Sequence, residues 1–370
     1  MTLDRREFLA AGLAVGAGMA LGAEGAPSLP ASSPGVRRAL FFESRPRKRV
    51  ECRLCPNGCV LREGERGVCR VRENRGGRLV TLVYGTPCSA HVDPVEKKPL
   101  FHYYPGTTAF SIATAGCNMT CRFCQNWEIS QQGPEQVRSA HLPPGAVVRL
   151  ARERGCASVA HTYNEPVVFY EYMLDCAREG RRASIPSVMI SNGYINAEPM
   201  RRLCRHLGAV KIDLKAFSDR FYREICGGRL QPVLDTLELV HREGVWLEVV
   251  VLLIPGLNDG VEEIRRMARW IADRLDTRVP LHFSRFFPTY RLRNIPPTPP
   301  ANLDRAYRVA REAGLEYVYV GNLVSPHRHT FCPGCGTELI HREGFSARLT
   351  GLKGNHCGKC GREIPGVFQT

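Results

Sequence analysis

From residue 109 onward, short apolar runs alternate with segments that have the period of amphipathic helices, and this alternation restricts the fold more than any other feature. Apolar strands separated by helices predict a parallel sheet with helices packed on its faces. The predicted strands are 109–115, 157–161, 186–191, 209–214, 245–253, 279–284 and 316–320. The predicted helices are 145–154, 166–182, 197–207, 230–243, 260–275 and 302–313.

About six such units fit a full or partial (β/α) barrel, in which the chemistry lies at the carboxyl ends of the strands. A doubly wound open sheet is the alternative, but no predicted strand is followed by a glycine-rich nucleotide-binding turn. Pro166 is expected to begin its helix, and Gly208, Gly244 and Gly314 are expected to end theirs.

Composition excludes a disordered or collagen-like chain, because 44% of the 370 residues are hydrophobic and only 24% are charged. The net charge is +15, and residues 37–78 contribute +8 of it with thirteen Lys or Arg and five Asp or Glu. Such a basic stretch can indicate nucleic-acid binding. The alternative is that it offsets the negative charge of four cysteine thiolates in the same stretch.

The amino terminus resembles a twin-arginine export signal. Arg5-Arg6 is followed by an uncharged run from Phe8 to Ala23 that is too short and too weakly apolar for a membrane span. The expected fate is maturation in the cytoplasm followed by export or membrane tethering. One alternative is an uncleaved anchor. The other is a basic terminus without signalling function, which would leave the protein cytoplasmic.

Eleven of the sixteen cysteines fall into three compact groups, a pattern that indicates metal sites in a large chain. Cys117, Cys121 and Cys124 follow the strand 109–115 with the spacing C-x3-C-x2-C. Three thiolates this close can bind three irons of a [4Fe–4S] cluster and leave the fourth iron open to a small molecule. The alternatives are a zinc site or three structural cysteines.

The other two groups flank the predicted sheet. Cys52, Cys55, Cys59 and Cys69 can form a tetrahedral zinc site or bind an auxiliary iron–sulfur cluster, and their spacing does not decide between these. The last group has the paired C-x2-C-G knuckles of a zinc ribbon, with zinc the expected metal. This last group consists of Cys332, Cys335, Cys357 and Cys360.

With Phe123 before its last cysteine, the first group resembles the C-x3-C-x-aromatic-C motif of the radical S-adenosylmethionine (SAM) superfamily. Further segments resemble the radical SAM component of the AmmeMemoRadiSam system, a relative of the pyruvate formate-lyase activating enzymes. The likeness runs from about Cys52 to the carboxyl terminus. The segments are DPVEKKPLFH from Asp93, HTYNEP from His161, SNGY from Ser191, DLK from Asp213, LIPGLND from Leu253, PLHFSRFFP from Pro280 and YVGN from Tyr319.

The resemblance implies a partial (β/α)6 barrel and an enzyme that cleaves SAM with one electron to give a 5′-deoxyadenosyl radical. This radical would remove a hydrogen from a substrate of unknown identity, such as a protein or peptide. The resemblance also implies a low-potential electron donor of the flavodoxin or ferredoxin type and partner proteins of the same system. The residues it assigns to SAM are Phe123, Asn164, Glu165, Asn192, Asp213, Lys215, Ile254 and His282.

Several of these residues have a structural alternative. The alternative role of Glu165 is to stabilise the start of a helix, that of Asp213 and Lys215 is to form an ion pair, and that of His282 is to be a core histidine. Two other functions also remain open: an RNA-modifying radical SAM enzyme and an exported iron–sulfur electron carrier. Four regions are expected: a signal and linker (1–35), a cysteine-rich region (36–105), the barrel (106–325) and a zinc-ribbon-like region (326–370).

Overall fold

The computed structural model describes residues 35–368. The twin-arginine motif at Arg5-Arg6 lies outside the described residues and stays a prediction. Within residues 35–368, no helix has the length and apolar character that crossing a membrane requires.

Six short strands precede the main sheet and form two antiparallel sheets of three strands. β6 lies between β1 and β5, and β3 lies between β2 and β4. Cys52 is the last residue of β3, and the other three N-terminal cysteines lie in the loops on either side of β4. The strands are β1 (Gly35–Arg38), β2 (Phe42–Arg45), β3 (Arg49–Cys52), β4 (Val60–Leu61), β5 (Arg72–Arg75) and β6 (Arg78–Tyr84).

The next eight strands form one sheet in which neighbours along the chain are neighbours in space. β8 to β14 are parallel, and β7 pairs with β8 in the antiparallel sense. The strand order does not reverse, as it would in a doubly wound sheet. The strands are β7 (Ser89–Pro94), β8 (Thr108–Ala113), β9 (Ser158–His161), β10 (Ser187–Ser191), β11 (Leu207–Asp213), β12 (Trp246–Leu253), β13 (Leu281–Arg285) and β14 (Val318–Gly321).

Helices connect the parallel strands and bury one face each. In the helix Val261–Arg274, for example, Ile264, Met267, Ala268 and Ile271 are buried, which is the spacing of one helical face. The α-helices are α1 (Trp127–Ser130), α2 (Pro144–Glu153), α3 (Tyr170–Arg182), α4 (Ala197–Cys204), α5 (Asp219–Phe221), α6 (Gln231–Arg242), α7 (Val261–Arg274) and α8 (Pro300–Glu312). Short 3-10 helices span Val95–Lys97, Pro134–Gln136, Pro166–Phe169 and Pro326–Arg328, and a π-helix spans Tyr222–Cys226.

The alternation therefore predicted all seven parallel strands and the six long helices, with shifts of a few residues at their ends. Gly244 and Gly314 follow α6 and α8 with φ of +70° and +99°, as expected of residues that end helices. The same prediction was wrong for Gly208, which lies inside β11. A β-carbon at Gly208 would overlap the hydroxyl of Tyr103, so close packing explains this glycine.

The carboxyl-terminal segment forms two small antiparallel sheets, in the orders β15-β16-β17 and β18-β19. It packs against the amino ends of the parallel strands: Val367 and residues 102–104 exchange backbone hydrogen bonds of 2.7 Å. The ring of His102 also stacks on Trp246, the first residue of β12. The strands are β15 (Thr330–Phe331), β16 (Glu338–Glu343), β17 (Ser346–Leu349), β18 (Leu352–Lys353) and β19 (His356–Cys357).

Candidate active site

Cys117, Cys121 and Cys124 lie in the loop that follows β8, at the carboxyl end of that strand. The backbone N–H of Thr120 donates to the carbonyl of Cys226 at 2.8 Å, and that of Arg122 donates to the carbonyl of Ile225 at 2.9 Å. These two bonds fix the loop against the end of the π-helix. The strand order of the sheet thus presents the three thiols where parallel α/β folds place their chemistry.

Two asparagine side chains connect this loop to the next-but-one strand. Nδ2 of Asn192 donates to Oδ1 of Asn118 at 2.9 Å and lies 4.0 Å from the sulfur of Cys117. Nδ2 of Asn118 in turn donates to the carbonyl of Tyr194 at 2.7 Å. Asn192 directly follows β10. The structure therefore places this residue, which the resemblance assigns to SAM, beside Cys117.

Asn164 also contacts the cysteine loop. Its Nδ2 donates to the carbonyl of Gly116 at 2.7 Å, while its Oδ1 is buried and has no hydrogen-bond partner among the described residues. A buried acceptor without a partner costs free energy of the order of 1–3 kcal/mol. Such an oxygen is suited to accept a hydrogen bond from a bound ligand, as the ammonium group of SAM requires.

The neighbouring Glu165 is fully buried and its carboxylate accepts three hydrogen bonds. Oε1 accepts from the N–H of Val167 at 3.0 Å and the hydroxyl of Ser191 at 2.7 Å, and Oε2 accepts from the N–H of Asn192 at 2.8 Å. Burial raises its pKa to about 7, although these hydrogen bonds act in the opposite direction. Glu165 thus caps the following helix and links two loops, and its contact with SAM stays a prediction.

Asp213 and Lys215 form an ion pair of 3.6 Å at the end of β11, and Lys211 also pairs with Asp213. Burial alone would lower the pKa of Lys215, but Asp213 and Cys121 raise it well above its usual value, so the lysine is charged. Its Nζ lies 5.6 Å from the ring of Phe123. The pair therefore belongs to the same site as the cysteine loop.

The turn that contains Ile254 is joined to this lysine through Asn258. Oδ1 of Asn258 accepts from the N–H of Ile254 at 2.6 Å, and its Nδ2 donates to the carbonyl of Lys215 at 2.7 Å. Ile254 is fully buried. The SAM-contacting position predicted at Ile254 thus lies close to the charged end of β11.

His282 has a different environment from the other predicted residues. Its Nε2 lies 2.7 Å from Oε2 of the fully buried Glu248, and its ring packs on Phe101 and Tyr319. Burial lowers the pKa of His282, and Glu248 opposes that shift only in part. These contacts agree with a structural role, and the contact with SAM predicted for His282 remains untested.

Sequence reasoning found no role for Cys226, and the structure places it against the first cysteine group. Contact with the Cys226 side chain lowers the pKa of Cys121, burial opposes that shift, and nearby Lys215 favours the thiolate. A β-carbon on Gly227 would overlap Oγ1 of Thr120. In the sequence, the two glycines that follow Cys226, Gly227 and Gly228, are the only local sign of this support, and the fold shows that they face the cysteine loop.

The comparisons with known proteins identify the family. Residues 111–271 match the family model of the Radical SAM superfamily. The chain is 42% identical over 332 residues to Uncharacterized protein MJ0808 of Methanocaldococcus jannaschii, which covers 89% of this chain and 99% of that protein. The chain belongs to the radical SAM superfamily.

Other relatives of this radical SAM protein carry functional names. An isethionate sulfite-lyase activating enzyme of Oleidesulfovibrio alaskensis is 25% identical over 65% of this chain and 75% of its own length. A pyruvate formate-lyase-activating enzyme of Clostridium pasteurianum is 26% identical over 42% of this chain and 66% of its own length. A solved radical SAM methyltransferase from Sphaerobacter thermophilus has 17% identity and a TM-score of 0.47, covering 59% of this chain and 67% of that one.

Membership of the radical SAM superfamily implies a [4Fe–4S] cluster and SAM, and the residues present fit both. Three thiols share one loop, as the three-cysteine motif requires. The unpartnered Oδ1 of Asn164 is an acceptor for an ammonium group, and the charged Lys215 is a partner for a carboxylate. The site beside the cysteines therefore offers an acceptor for the ammonium group of SAM and a cation for its carboxylate.

The carboxyl-terminal cysteines form a compact cluster, far along the chain from this radical SAM site. The sulfurs of Cys332 and Cys360 are 3.5 Å apart, those of Cys335 and Cys357 are 3.6 Å apart, and all four lie within 4.8 Å of one another. In both knuckles the glycine after the second cysteine has a left-handed backbone and donates to the carbonyl of the first cysteine at 2.9 Å. These glycines are Gly336 and Gly361.

Proposed function

We propose that this radical SAM enzyme binds SAM at a [4Fe–4S] cluster held by Cys117, Cys121 and Cys124 and uses it to remove a hydrogen atom from a protein or peptide. When bound, the cluster and SAM supply one-electron cleavage of the sulfonium and a 5′-deoxyadenosyl radical. The observation that carries the proposal is the buried Oδ1 of Asn164, which has no hydrogen-bond partner within residues 35–368 and whose Nδ2 is fixed to the backbone beside Cys117.

The chain's own residues would bind and orient SAM. Asn164 would accept a hydrogen bond from the ammonium group, and Asn192 would fix the loop of Cys117. Lys215 would pair with the carboxylate, while Asp213 keeps the lysine charged in a buried setting. Phe123 and Ile254, both buried, would bound the adenine. Holding these groups rigid before the reaction is what such a site contributes to the rate.

We also propose that the sequential parallel sheet is a partial (β/α)6 barrel. The supporting observation is that β8 to β14 follow one another without a reversal of order. In a barrel, the loop after β8 and the loops after β9, β10 and β11 share one rim. Side chains from these loops would exclude water from the place at the rim where the radical forms.

A protein or peptide substrate is favoured by the names of two relatives. Both are activating enzymes, one of isethionate sulfite-lyase and one of pyruvate formate-lyase, so each name refers to another enzyme as its object. A low-potential flavodoxin or ferredoxin would supply the electron, and partner proteins of the AmmeMemoRadiSam system are the first substrates to test.

The RNA-modifying alternative depends on the basic stretch 37–78, and the ion pairs of that stretch weigh against it. Seven of its thirteen basic side chains already pair with acidic ones. Paired charges contribute less to phosphate binding. The paired residues are Arg37, Arg45, Lys48, Arg53, Arg66, Arg72 and Arg75.

We propose zinc for the carboxyl-terminal cysteines, with a structural role. Tetrahedral Zn–S bonds of about 2.3 Å place ligand sulfurs ~3.8 Å apart. The two sulfur pairs at 3.5 and 3.6 Å are close to that separation. The segment contacts the amino ends of the strands. In parallel α/β barrels, residues at this end contribute to stability, and catalytic residues lie at the other end.

The decisive experiment is anaerobic. The protein is reconstituted with iron and sulfide, reduced with dithionite and incubated with SAM, and 5′-deoxyadenosine is measured. We expect product from the wild type and none from a Cys124→Ala variant. Absence of product from a protein that holds its iron would refute SAM cleavage and favour an electron carrier. Salt-sensitive RNA binding would move the substrate from protein to RNA.

A further inference from the structure

The four N-terminal cysteines surround a cavity. Cys52, Cys55, Cys59 and Cys69 all line this one cavity, together with apolar side chains such as Leu54. Cys52 and Cys69 are buried. Four thiols that line one cavity are a candidate metal site, either for a single ion or for a cluster.

Sulfur spacing distinguishes this group from the carboxyl-terminal one. Within residues 35–368, sets of three or more cysteine sulfurs that lie within 4.8 Å of one another occur only among the carboxyl-terminal cysteines. Zinc would place its ligand sulfurs ~3.8 Å apart. No three of the N-terminal sulfurs lie within 4.8 Å of one another, so they are not arranged as the ligands of one zinc ion.

The motif cysteines provide an internal standard for this comparison. Cys117, Cys121 and Cys124, which family membership assigns to a [4Fe–4S] cluster, are likewise absent from the sets within 4.8 Å in the described part of the chain. A cubane of irons and sulfides holds its thiolates at the corners of a larger tetrahedron than a single ion does. By this criterion the N-terminal group falls with the motif cysteines and not with the carboxyl-terminal four.

Arg72 is positioned to stabilise a negatively charged group in the cavity. It is fully buried and lines the cavity, and its Nε has no hydrogen-bond partner among the described residues. Its Nη1 donates to Oε1 of Glu171 at 3.0 Å, which fixes the guanidinium in place. Hydrogen bonds to cluster sulfurs are a general means by which proteins stabilise iron–sulfur clusters and set their potentials.

This cavity lies directly beside the first cysteine loop. A β-carbon on Gly116 would overlap the carbonyl oxygen of Cys69, so the backbones of the two cysteine groups are in contact. Nδ2 of Asn57 donates to the carbonyl of Asn118 at 2.8 Å, and Asn118 itself lines the cavity. Cys117 lies between Gly116 and Asn118 in the chain, so both contacts flank the first ligand of the other cluster.

We propose that Cys52, Cys55, Cys59 and Cys69 bind a second [4Fe–4S] cluster, adjacent to the first. We further propose an electron exchange between the two clusters, in which one electron passes from the second cluster to the first. A flavodoxin or ferredoxin reduces the second cluster from the 2+ to the 1+ state, and transfer to the first cluster returns it to 2+. The exchange rests on the proposed function, whereas the metal assignment does not.

Metal analysis of three variants tests the assignment. After anaerobic reconstitution, two cubanes predict about eight irons per wild-type chain, with about one zinc at the carboxyl-terminal site. The variant C117A/C121A/C124A is expected to keep about four irons, and so is C55A/C59A. C335A/C360A is the matched control, because it removes two cysteines, should lose zinc and should keep all its iron.

Electron paramagnetic resonance adds a readout of position. In the reduced wild type, two neighbouring clusters should broaden each other's signals, and each iron-depleted variant should show a sharper, uncoupled spectrum. SAM should change the spectrum of C55A/C59A and leave that of C117A/C121A/C124A unchanged. Sharp, additive signals in the wild type would refute the adjacency and the electron exchange.

A wild type with about four irons and about two zincs would overturn the assignment, as would a C117A/C121A/C124A variant without iron. The wild-type ratio decides the question even if a variant fails to fold. Eight irons without 5′-deoxyadenosine would refute SAM cleavage and leave the second cluster established, so the two failures are distinguishable.

Discussion

A side chain at Gly227 would overlap Oγ1 of Thr120, which lies between Cys117 and Cys121. The backbone at Gly227 is also left-handed, with φ of +71°. The N–H of Thr120 donates to the carbonyl of Cys226, the residue before Gly227, so the two segments are in contact along their backbones. The path of the cysteine loop therefore depends on the absence of a side chain at this glycine.

We expect Gly227→Ala to lower the iron bound by the first cysteine group, because the new methyl group displaces the loop that positions two ligands. Iron content and SAM cleavage measure the effect. Gly244→Ala is the matched control: its φ is +70°, but no atom lies near the added carbon. It carries the same backbone cost of about 1–2 kcal/mol without the overlap. Equal iron in the two variants would contradict the prediction.

The parallel strands were predictable because they are nearly continuous apolar runs, and the first cysteine group because its spacing is local. The strand β7 was not predicted. It contains His91 and Asp93, and charged side chains are expected at the surface. Asp93 is instead buried, where it pairs with Lys98 at 2.5 Å and with Tyr163. Only the tertiary placement of these partners makes such burial possible.

The same reason limits what the sequence reveals about the site. The match of Asn164 to a SAM-binding position was visible in the motif, whereas its contact with Gly116 joins the loops that follow two different strands. The spacing of the N-terminal cysteines permitted zinc or a cluster equally. How the loops around β4 fold against Arg72 and Leu54 depends on tertiary contacts that the spacing does not show.

Asn164→Ala is expected to weaken SAM binding about 10–100-fold, since a hydrogen bond to a charged group contributes about 1.5–3 kcal/mol. Iron content should remain unchanged, because Asn164 is not a ligand. Equilibrium binding of SAM to the reconstituted protein gives the affinity. Asn126→Ala removes a similar bond to a backbone carbonyl, that of Tyr163, from a side chain that is exposed and not buried. If both variants bind SAM equally well, Asn164 does not contact the ammonium group.

The free energy of unfolding should depend on the ionisation of Glu165. Burial raises its pKa in the folded protein from 4.5 to about 7, so the folded state retains a proton that the unfolded chain has already released between these values. Stability from this group is therefore complete at low pH and is lost as pH rises through that interval. Nearby Lys215 reduces the shift without reversing it.

Comparison with Glu165→Gln isolates this contribution, because glutamine does not titrate. Denaturant unfolding of both anaerobic proteins across the interval should show the wild type losing stability relative to the variant as pH rises. Above about pH 7 the difference should become constant. A difference that is independent of pH throughout would show that the carboxyl group is ionised in the folded protein at all these values.

Loss of the carboxyl-terminal metal should lower stability more than it lowers catalysis. The cysteines of this group lie in the segment that contacts residues 102–104, and His102 in turn stacks on Trp246 at the amino end of β12. The motif cysteines follow the carboxyl end of β8. We expect Cys335→Ser/Cys360→Ser to lose zinc and to unfold at lower denaturant concentration, because structural zinc contributes directly to folding free energy.

The yield of 5′-deoxyadenosine per bound iron should stay close to that of the wild type at a temperature where the variant is folded. A chelator that removes zinc but leaves the clusters intact should reproduce both effects, which separates the loss of metal from the change of side chains. A variant that retains its fold and its iron but loses SAM cleavage would contradict the prediction. It would show that the metal site at the amino ends of the strands affects the chemistry at their carboxyl ends.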